Sequence, residues 1–180
     1  MALPATVYKA SIQLADVDRG VYETLQATVA QHPSETEERL VARLLAFALF
    51  HEEELAFTKG LSATDEPDLW VIGADGRARS WVEVGLPEPE RIVKASRHSG
   101  RVALLACGRG AASWEEQQLP KLARLTNLTV IGIDHAFIGR VAALLERSIN
   151  WSITITEGSI YLTVGEETLE TAIRVKIGSR

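Results

Sequence analysis

The sequence predicts a single α/β domain built on a mixed β-sheet. Its 180 residues are enough for one domain with an adequate core. Its composition, 46% hydrophobic and 24% charged, is that of an ordinary soluble globular protein. The predicted elements begin with a hairpin, a helix and a second hairpin, then alternate between helix and strand, and end in strands. We therefore expect residues 1–180 to form one domain with helices flanking the sheet.

The N-terminal part predicts a β-hairpin and then a helix. Residues 6–17 alternate apolar and polar side chains, "DRG" provides a turn, and "VYETLQATVAQH" indicates the antiparallel return strand. In "ETEERLVARLLAFALF" the apolar residues recur with the period of a helix. We expect Ser34 to cap this helix, with Glu37 as its capping-box partner.

The remaining segments predict a second hairpin over 68–84, a short helix over 88–99, and then alternating strands and helices. "RVALLAC" and "LTVIGI" are continuous apolar runs, as strands of a sheet covered on both faces require. Pro120 predicts a kink or break in the helix between them, and Asp134 is a candidate cap for the next helix. The C-terminal part predicts a hairpin about Glu157-Gly158 and one further strand, "ETAIRVKI".

Charge and composition narrow the functional classes. The formal net charge of −5 argues against a protein that coats nucleic acid through bulk positive charge, but it is compatible with an enzyme that has a local cationic cleft. Cys107 is the one cysteine, which excludes a disulfide framework and a thiolate metal site. The sequence has neither a secretory pattern nor an apolar run of membrane-spanning length, so we expect a cytoplasmic protein without membrane association.

The second hairpin brings two carboxylates together. Asp75-Gly76 is the strongest short signal for a two-residue hairpin loop. That loop places Asp68 opposite Glu83 and Ile72 opposite Arg79. It also gives the opposite face of the hairpin four apolar side chains suited to the core, namely Leu69, Val71, Val82 and Val84.

Two facing carboxylates repel each other, so a compensating group is expected. A shared proton, a basic side chain or a metal ion would each serve, and oxygen-only ligands suit Mg²⁺ or Mn²⁺ better than zinc. The alternative is a solvated pair at the mouth of the strands, neutralised by Lys59 or Arg91.

Further charged residues extend this candidate site. In the predicted helix 88–99, Arg91, Lys94 and His98 share one face. Carboxylates for a metal beside cations for a phosphate are the components of metal-assisted phosphodiester hydrolysis, although such a face is also compatible with simple solvation. Glu38, at the edge of the apolar stripe of the first helix, is either a third acid in the cleft or a boundary residue.

The order of these features resembles the PD-(D/E)XK nuclease superfamily: a helix bearing an acid, "PD" at 67–68, a hairpin, a strand carrying Glu83, and a following helix. Longer segments are more specific. "VYKASIQLADVDR", "HPSETEERLVARLLAFAL", "FTKGLSATDEPDLW" and "WVEVGLPEPERIVKAS" are similar to the YaeQ family of small bacterial proteins, which is regarded as a variant of that nuclease fold.

The resemblance implies a restriction-endonuclease-like core with extra N- and C-terminal antiparallel strands. It further implies that Asp68 and Glu83 bind Mg²⁺ or Mn²⁺, that Glu38 is an accessory acid, and that the substrate is nucleic acid. The lysine of the motif would stand where this chain has Gly85. Lys94 is our candidate replacement for that cation, with Arg91 second. A non-catalytic binding or regulatory protein on a degenerate nuclease scaffold is the alternative.

Overall fold

The structure, a computed structural model, describes residues 4–180 as two β-sheets and four α-helices. The helices are α1 (Glu37–Leu49), α2 (Pro89–His98), α3 (Ala111–Leu122) and α4 (His135–Ala142). The strands are β1 (Thr6–Asp16), β2 (Val21–Gln31), β3 (Ala56–Phe57), β4 (Leu69–Ile72), β5 (Ala78–Val84), β6 (Arg101–Ala106), β7 (Leu128–Gly132), β8 (Ser148–Thr156), β9 (Ser159–Val164), β10 (Glu167–Ala172) and β11 (Arg174–Ile177). The predicted α/β class is confirmed.

The strands divide between a central and a terminal sheet. The central sheet has the order β11-β7-β6-β5-β4-β3, with β5, β6 and β7 parallel and the other pairs antiparallel. The terminal sheet has the order β10-β9-β8-β1-β2, and β1 pairs with β8 in parallel. The sequence predicts one mixed sheet with extra terminal strands, whereas most of the terminal strands form this second sheet.

Helix α1 lies in the core between the two sheets. Its residues 40–49 are all buried, as expected for a helix that contacts protein on every side. The main hydrophobic cluster joins α1 and α4 to the terminal sheet and to one face of the central sheet. Helices α2 and α3 cover the opposite face of the central sheet through a second cluster. Cys107 belongs to the main cluster, and burial raises the pKa of its thiol to about 11.

The predictions for the N-cap of α1 and for the last strand are wrong. Thr36, and not Ser34, caps α1, because the Thr36 hydroxyl accepts a hydrogen bond from the Arg39 N–H at 3.2 Å. The Ser34 hydroxyl instead pairs with Nδ1 of His32 at 2.7 Å. The predicted strand "ETAIRVKI" is interrupted at Ile173, and its two parts, β10 and β11, join different sheets.

The turn of the β4–β5 hairpin differs from the predicted two-residue loop. The Gly73 N–H donates to the Arg77 carbonyl at 2.8 Å, which leaves three residues in the loop. Gly76 has φ +79°, a left-handed conformation that favours glycine. An irregularity then makes Arg79 an extra residue, so that Ile72 pairs with Ala78 rather than with Arg79.

Beyond this irregularity the predicted register is restored. Leu69, Trp70 and Val71 pair with Val82, Trp81 and Ser80 respectively. The four apolar side chains predicted for the core face of this hairpin are all buried.

The cap predicted for α4 and the turn predicted for the C-terminal hairpin are confirmed. Asp134 Oδ1 accepts a hydrogen bond from the Ala136 N–H at 3.2 Å, at the start of α4. Glu157 and Gly158 form the β8–β9 turn with φ values of +50° and +71°. Pro120 lies inside α3, near its C-terminal end. Across residues 4–180, the structure contains no helix with the length and apolar character that a membrane span requires.

Candidate functional site

The two carboxylates of the second hairpin are buried at the end of the hairpin that lies away from its turn, next to the carboxyl end of β5. Glu83 lies on β5 with 5% of its surface exposed, and Asp68 comes directly before β4 with 2% exposed. The pairing of the two strands ends at Leu69 and Val82, and the Asp68 N–H also donates to the Val82 carbonyl, at 3.0 Å. The observed ladder therefore stops one residue short of the predicted Asp68–Glu83 pair, although the charge of Asp68 still acts on the Glu83 carboxylate.

Asp68 is held by backbone and by helix α1. Its Oδ2 accepts the Val84 N–H at 2.8 Å, so the carboxylate bridges the two strands of the hairpin. Its Oδ1 accepts from Nη2 of Arg39 at 2.8 Å, and Nε of Arg43 lies 3.7 Å from the same oxygen. The charge of Asp68 is therefore compensated from α1.

Glu83 is compensated from the opposite side, by α2. Its Oε1 accepts from the Trp81 indole N–H at 2.8 Å and from Nε of Arg91 at 2.7 Å. Burial raises the pKa of Glu83, Trp81 and Arg91 oppose that rise, and the charge of Asp68 adds to it. The two hydrogen-bond donors therefore offset only part of the free-energy cost of burying the charged carboxylate.

A third buried acid, Glu35, lies behind Asp68. Its Oε1 accepts from Nη1 of Arg39 at 3.0 Å, and both of its oxygens lie 3.2 Å from Nη1 of Arg43. Arg43 is 2% exposed and also lies over the ring of Phe57, 5.4 Å from its centroid. Burial lowers the pKa of Arg39, but Asp68 and Glu35 outweigh burial and leave that pKa raised.

Arg91 also fixes the segment that precedes β4. Its Nη1 donates to the Thr64 carbonyl and its Nη2 to the Glu66 carbonyl, both at 2.7 Å. Together with the bond to Glu83, these contacts use all three nitrogen atoms of the guanidinium. Arg91 therefore connects α2, β5 and the 58–67 segment at one point.

These residues surround an open cleft of about 370 Å³, which we call the acid cleft. Its charged lining residues are Arg39, Glu66, Asp68, Glu83 and Arg91. Three carboxylates and two guanidiniums therefore face this space, and the lining carries one excess negative charge. Glu35 and Arg43, behind the lining, compensate each other.

The other candidate residues lie elsewhere. Among residues 4–180, the lining of the acid cleft includes Arg91 but neither Lys94 nor Glu38. Lys94 is exposed on α2, and Glu38 Oε1 lies beside Gly139 of α4. The structure therefore favours Arg91 over Lys94 as the cation at the carboxylates, and α1 contributes arginines here instead of an accessory acid.

Gly85 lines the acid cleft, and its backbone explains why no lysine stands there. Its φ is +108°, in the region that residues with side chains rarely adopt, while the space beside its Cα is open. A lysine at this position would strain the backbone even though it would meet no neighbour.

Sequence reasoning missed the ion network behind Asp68. Glu35, Arg39 and Arg43 are spaced four residues apart, and oppositely charged residues at this spacing are neighbours on a helix. That spacing was a usable signal for the pair of Arg39 with Glu35, which lies just before the N-cap of α1. The contact between Arg39 and Asp68 joins residues 29 apart and has no local signal.

The donors of the acid cleft suit a hard cation. Each oxygen of Asp68 accepts one hydrogen bond and so retains a lone pair, and Oε2 of Glu83 accepts none from the described residues. Across residues 4–180, no three His, Cys, Asp or Glu side chains are grouped so that they could hold a metal ion. Two carboxylates with water or substrate completing the shell is the usual arrangement for Mg²⁺.

The fold and the site define a class: an α/β protein with a buried pair of carboxylates at the carboxyl end of its central strands, each neutralised by an arginine. The model of the YaeQ protein family matches residues 1–173. The chain therefore belongs to the YaeQ family. "Uncharacterized protein YaeQ" of Salmonella typhi is 40% identical over 171 residues, and that of Escherichia coli K12 is 39% identical, each match covering 94% of both chains.

Solved structures of the same family superimpose closely on this chain. The YaeQ protein from Xanthomonas axonopodis pv. citri is 35% identical with a TM-score of 0.93, over 97% of this chain and 99% of that one. The YaeQ protein from Pseudomonas syringae is 39% identical with a TM-score of 0.92, over 99% of both chains. At these identities the arrangement of sheets and helices is common to the three proteins.

Proposed function

We propose that the protein is a Mg²⁺- or Mn²⁺-dependent phosphodiesterase that acts on nucleic acid at the acid cleft. The observation that carries the proposal is the pair Asp68 and Glu83: two buried carboxylates with unused lone pairs, facing a cleft with one excess negative charge. The arginines on α1 and α2 already compensate the two carboxylates, and a cation in the cleft would add to this compensation at the lone pairs that remain unused.

The order of elements supports the proposal. Helix α1 is followed by β3, β4 and β5, and then by α2 and β6; β4 and β5 are antiparallel, whereas β5 and β6 are parallel. This is the order expected for the core of the PD-(D/E)XK nucleases, with Asp68 at the start of β4 and Glu83 on β5. The restriction-endonuclease-like core is part of the same proposal.

Asp68 and Glu83 would hold the ion, which supplies an activated water and a polarised phosphate when bound. The hydrogen bonds from Arg39 and the Val84 N–H fix the orientation of the Asp68 carboxylate. Partners of this kind hold a metal ligand in a defined geometry. Arg91 and Arg39 place positive charge at the wall of the cleft, where a phosphodiester would bind.

A non-catalytic binding protein on this scaffold is the second candidate, and the saturation of the site favours it. Oε1 of Glu83 already accepts two hydrogen bonds, and all three guanidinium nitrogens of Arg91 donate to the protein. Gly85 also stands where the nuclease motif has its lysine. Without that lysine, the site is closer to a structural ion network than to a catalytic centre.

Anomalous diffraction from a crystal soaked in Mn²⁺, combined with a cleavage assay on single- and double-stranded DNA and RNA, tests the two candidates. If the protein is the proposed enzyme, we expect a manganese peak between Asp68 and Glu83 and cleavage that requires Mn²⁺ or Mg²⁺. A peak without cleavage supports the binding protein, and the absence of a peak at millimolar Mn²⁺ excludes both roles for the ion.

Matched variants assign any cleavage to this cleft. Asp68→Asn and Glu83→Gln remove a ligand charge but keep the shape, so either should abolish cleavage and the manganese peak. Glu38→Gln is the control, because Glu38 lies on α1 outside the cleft lining, and it should cleave like the wild type. Cleavage that survives Asp68→Asn would come from a contaminant or from another site.

A further inference from the structure

A second cavity, which we call the arginine cavity, is lined by residues 80–82 of β5, whereas the acid cleft is lined by Glu83 and Val84 of the same strand. Its volume is about 120 Å³, well above the roughly 10–15 Å³ that one water requires. The first residues of β6, the segment after α1 and the C-terminal residues 179–180 also line it. Nothing in the proposed function uses this space.

Its wall combines apolar side chains with polar ones, and three of the polar ones are arginines. The lining residues whose side chains carry donors are Arg19, His51, Ser80, Trp81, Arg101, Thr129, Ser179 and Arg180. The acids in contact with these arginines, among residues 4–180, are Asp16 and Glu52. Three guanidiniums thus share two carboxylates, and Glu52 is shared further with Arg79.

Two polar atoms of the lining residues are buried without a hydrogen-bond partner among the described residues. They are Nη2 of Arg19 and Nδ1 of His51. A buried donor or acceptor left unpaired costs free energy, and native structures seldom leave one without a reason such as a bound ion. Both atoms belong to side chains of the same cavity wall.

The rest of each side chain is fixed by the protein. Nε of Arg19 bonds Asp16 at 2.8 Å and its Nη1 bonds the His51 carbonyl at 3.2 Å. Nε2 of His51 lies 3.0 Å from Oε2 of Glu23, so Nδ1 is the nitrogen of that ring that has no partner among the described residues.

Arg180 has the same shortage of negative charge. Its side chain is 8% exposed, and it pairs with Asp16 and donates from Nε to the Leu49 carbonyl. Burial lowers the pKa of Arg180, the charges of Asp16 and Asp18 oppose this effect, and the neighbouring charge of Arg19 adds to it. An anion in the cavity would relieve both the burial and the repulsion between the two guanidiniums.

We propose that the arginine cavity binds a small phosphate species, either inorganic phosphate or the phosphate end of a phosphomonoester. A tetrahedral dianion supplies the missing negative charge and enough acceptor oxygens for guanidiniums converging from three segments of the chain. The cavity size excludes a long polyanion from its interior. This inference is independent of the proposed function of the acid cleft.

Titration calorimetry and thermal unfolding with inorganic phosphate, at ionic strength held constant with NaCl, test the proposal. We expect saturable phosphate binding and a phosphate-dependent rise in Tm that chloride does not reproduce. Glycerol phosphate, in a parallel titration, distinguishes the sources: tighter binding than phosphate identifies a phosphomonoester, and binding of phosphate alone identifies the free ion. Equal stabilisation by NaCl and phosphate would overturn the proposal.

Three arginine variants locate the binding. Arg19→Gln and Arg101→Gln should each weaken phosphate binding about tenfold or more, because each removes a charge-assisted donor. Arg124→Gln, an exposed residue just after α3, should bind like the wild type. Arg101 has 67% of its side chain exposed, so its variant remains informative if Arg19→Gln fails to fold. Undiminished binding by Arg101→Gln would overturn the proposed site.

Discussion

Strand β5 lines both the arginine cavity and the acid cleft, and a buried aspartate pairs with arginines of each. Asp16 has no exposed surface and Asp68 has 2%, and each is within ion-pair distance of two arginines. The difference is the third partner: Glu35 shares the arginines of Asp68, whereas no second acid among the described residues contacts those of Asp16.

This difference in charge balance appears in the arginines themselves. The pKa of Arg39 is raised, because Asp68 and Glu35 together outweigh its burial, while burial leaves the pKa of Arg180 lowered. The comparison teaches that burial of an aspartate with two arginines does not by itself define a site. The neighbouring charges decide whether a cation or an anion would complete it.

Asp16→Asn should have the largest effect on stability. It leaves two crowded guanidiniums without a carboxylate, and breaking a buried ion pair on one side typically costs about 3–5 kcal/mol. Urea unfolding measures the loss. Asp75→Asn, in the exposed β4–β5 loop, is the control and should change stability by less than about 0.5 kcal/mol. A small loss for Asp16→Asn would mean that the arginines find other partners.

Asp68→Asn should destabilise the protein less, by roughly 1.5–3 kcal/mol, the range for a hydrogen bond to a charged group. Glu35 still compensates Arg39 and Arg43 in this variant, and the asparagine oxygen can still accept the Val84 N–H. The same urea series gives the value. A loss equal to that of Asp16→Asn would break the comparison, because it would show that Glu35 does not share the charge.

Glu83→Gln should flatten the pH dependence of stability. The folded pKa of Glu83 is raised, so the folded state holds its proton to higher pH than the unfolded chain. The contribution of this residue is therefore favourable at low pH. It falls as pH rises from the ordinary glutamate value, about 4.3, through the raised pKa.

Urea unfolding of the wild type and of Glu83→Gln in metal-free buffer across this window measures the difference. Glu90→Gln, in the first turn of α2, is the control and should keep the pH profile of the wild type. A wild-type advantage over Glu83→Gln that grows with pH would contradict the expected direction.

Lys94→Ala should have the smallest effect, below about 0.5 kcal/mol in unfolding, because the residue is exposed. Any cleavage activity should also be unchanged, since Lys94 does not line the acid cleft, whereas Arg91→Ala should lower it. Loss of cleavage in Lys94→Ala with full activity in Arg91→Ala would reverse our choice of cation.

The sequence was sufficient where the signals are local. The predicted register holds for Leu69, Trp70 and Val71 although the predicted loop was wrong. The Asp-Gly signal favours a two-residue loop, and it does not reveal a three-residue loop compensated by an extra residue at Arg79. The two differences cancel before Val71, and Asp68 and Glu83 then line the same cleft.

The remainder depended on tertiary contacts. Arg39 meets Asp68 across 29 residues and Arg180 meets Asp16 across 164, so neither pair has a sequence signal. Ile173 separates β10 from β11 because the chain crosses there from one sheet to the other, and apolar alternation continues through that crossing. The extra strands were predicted, but their sheet was not.

The parallel pairing of β1 with β8 has a consequence for synthesis of the chain. Lys9 pairs with Ser148, so β1 leaves the ribosome long before its partner exists. Until then the β1–β2 hairpin presents an unpaired inner edge, and a long-range parallel pair is slow to form. We therefore expect newly made chains to expose this edge to one another, and the yield of folded protein to fall as translation becomes faster or more crowded.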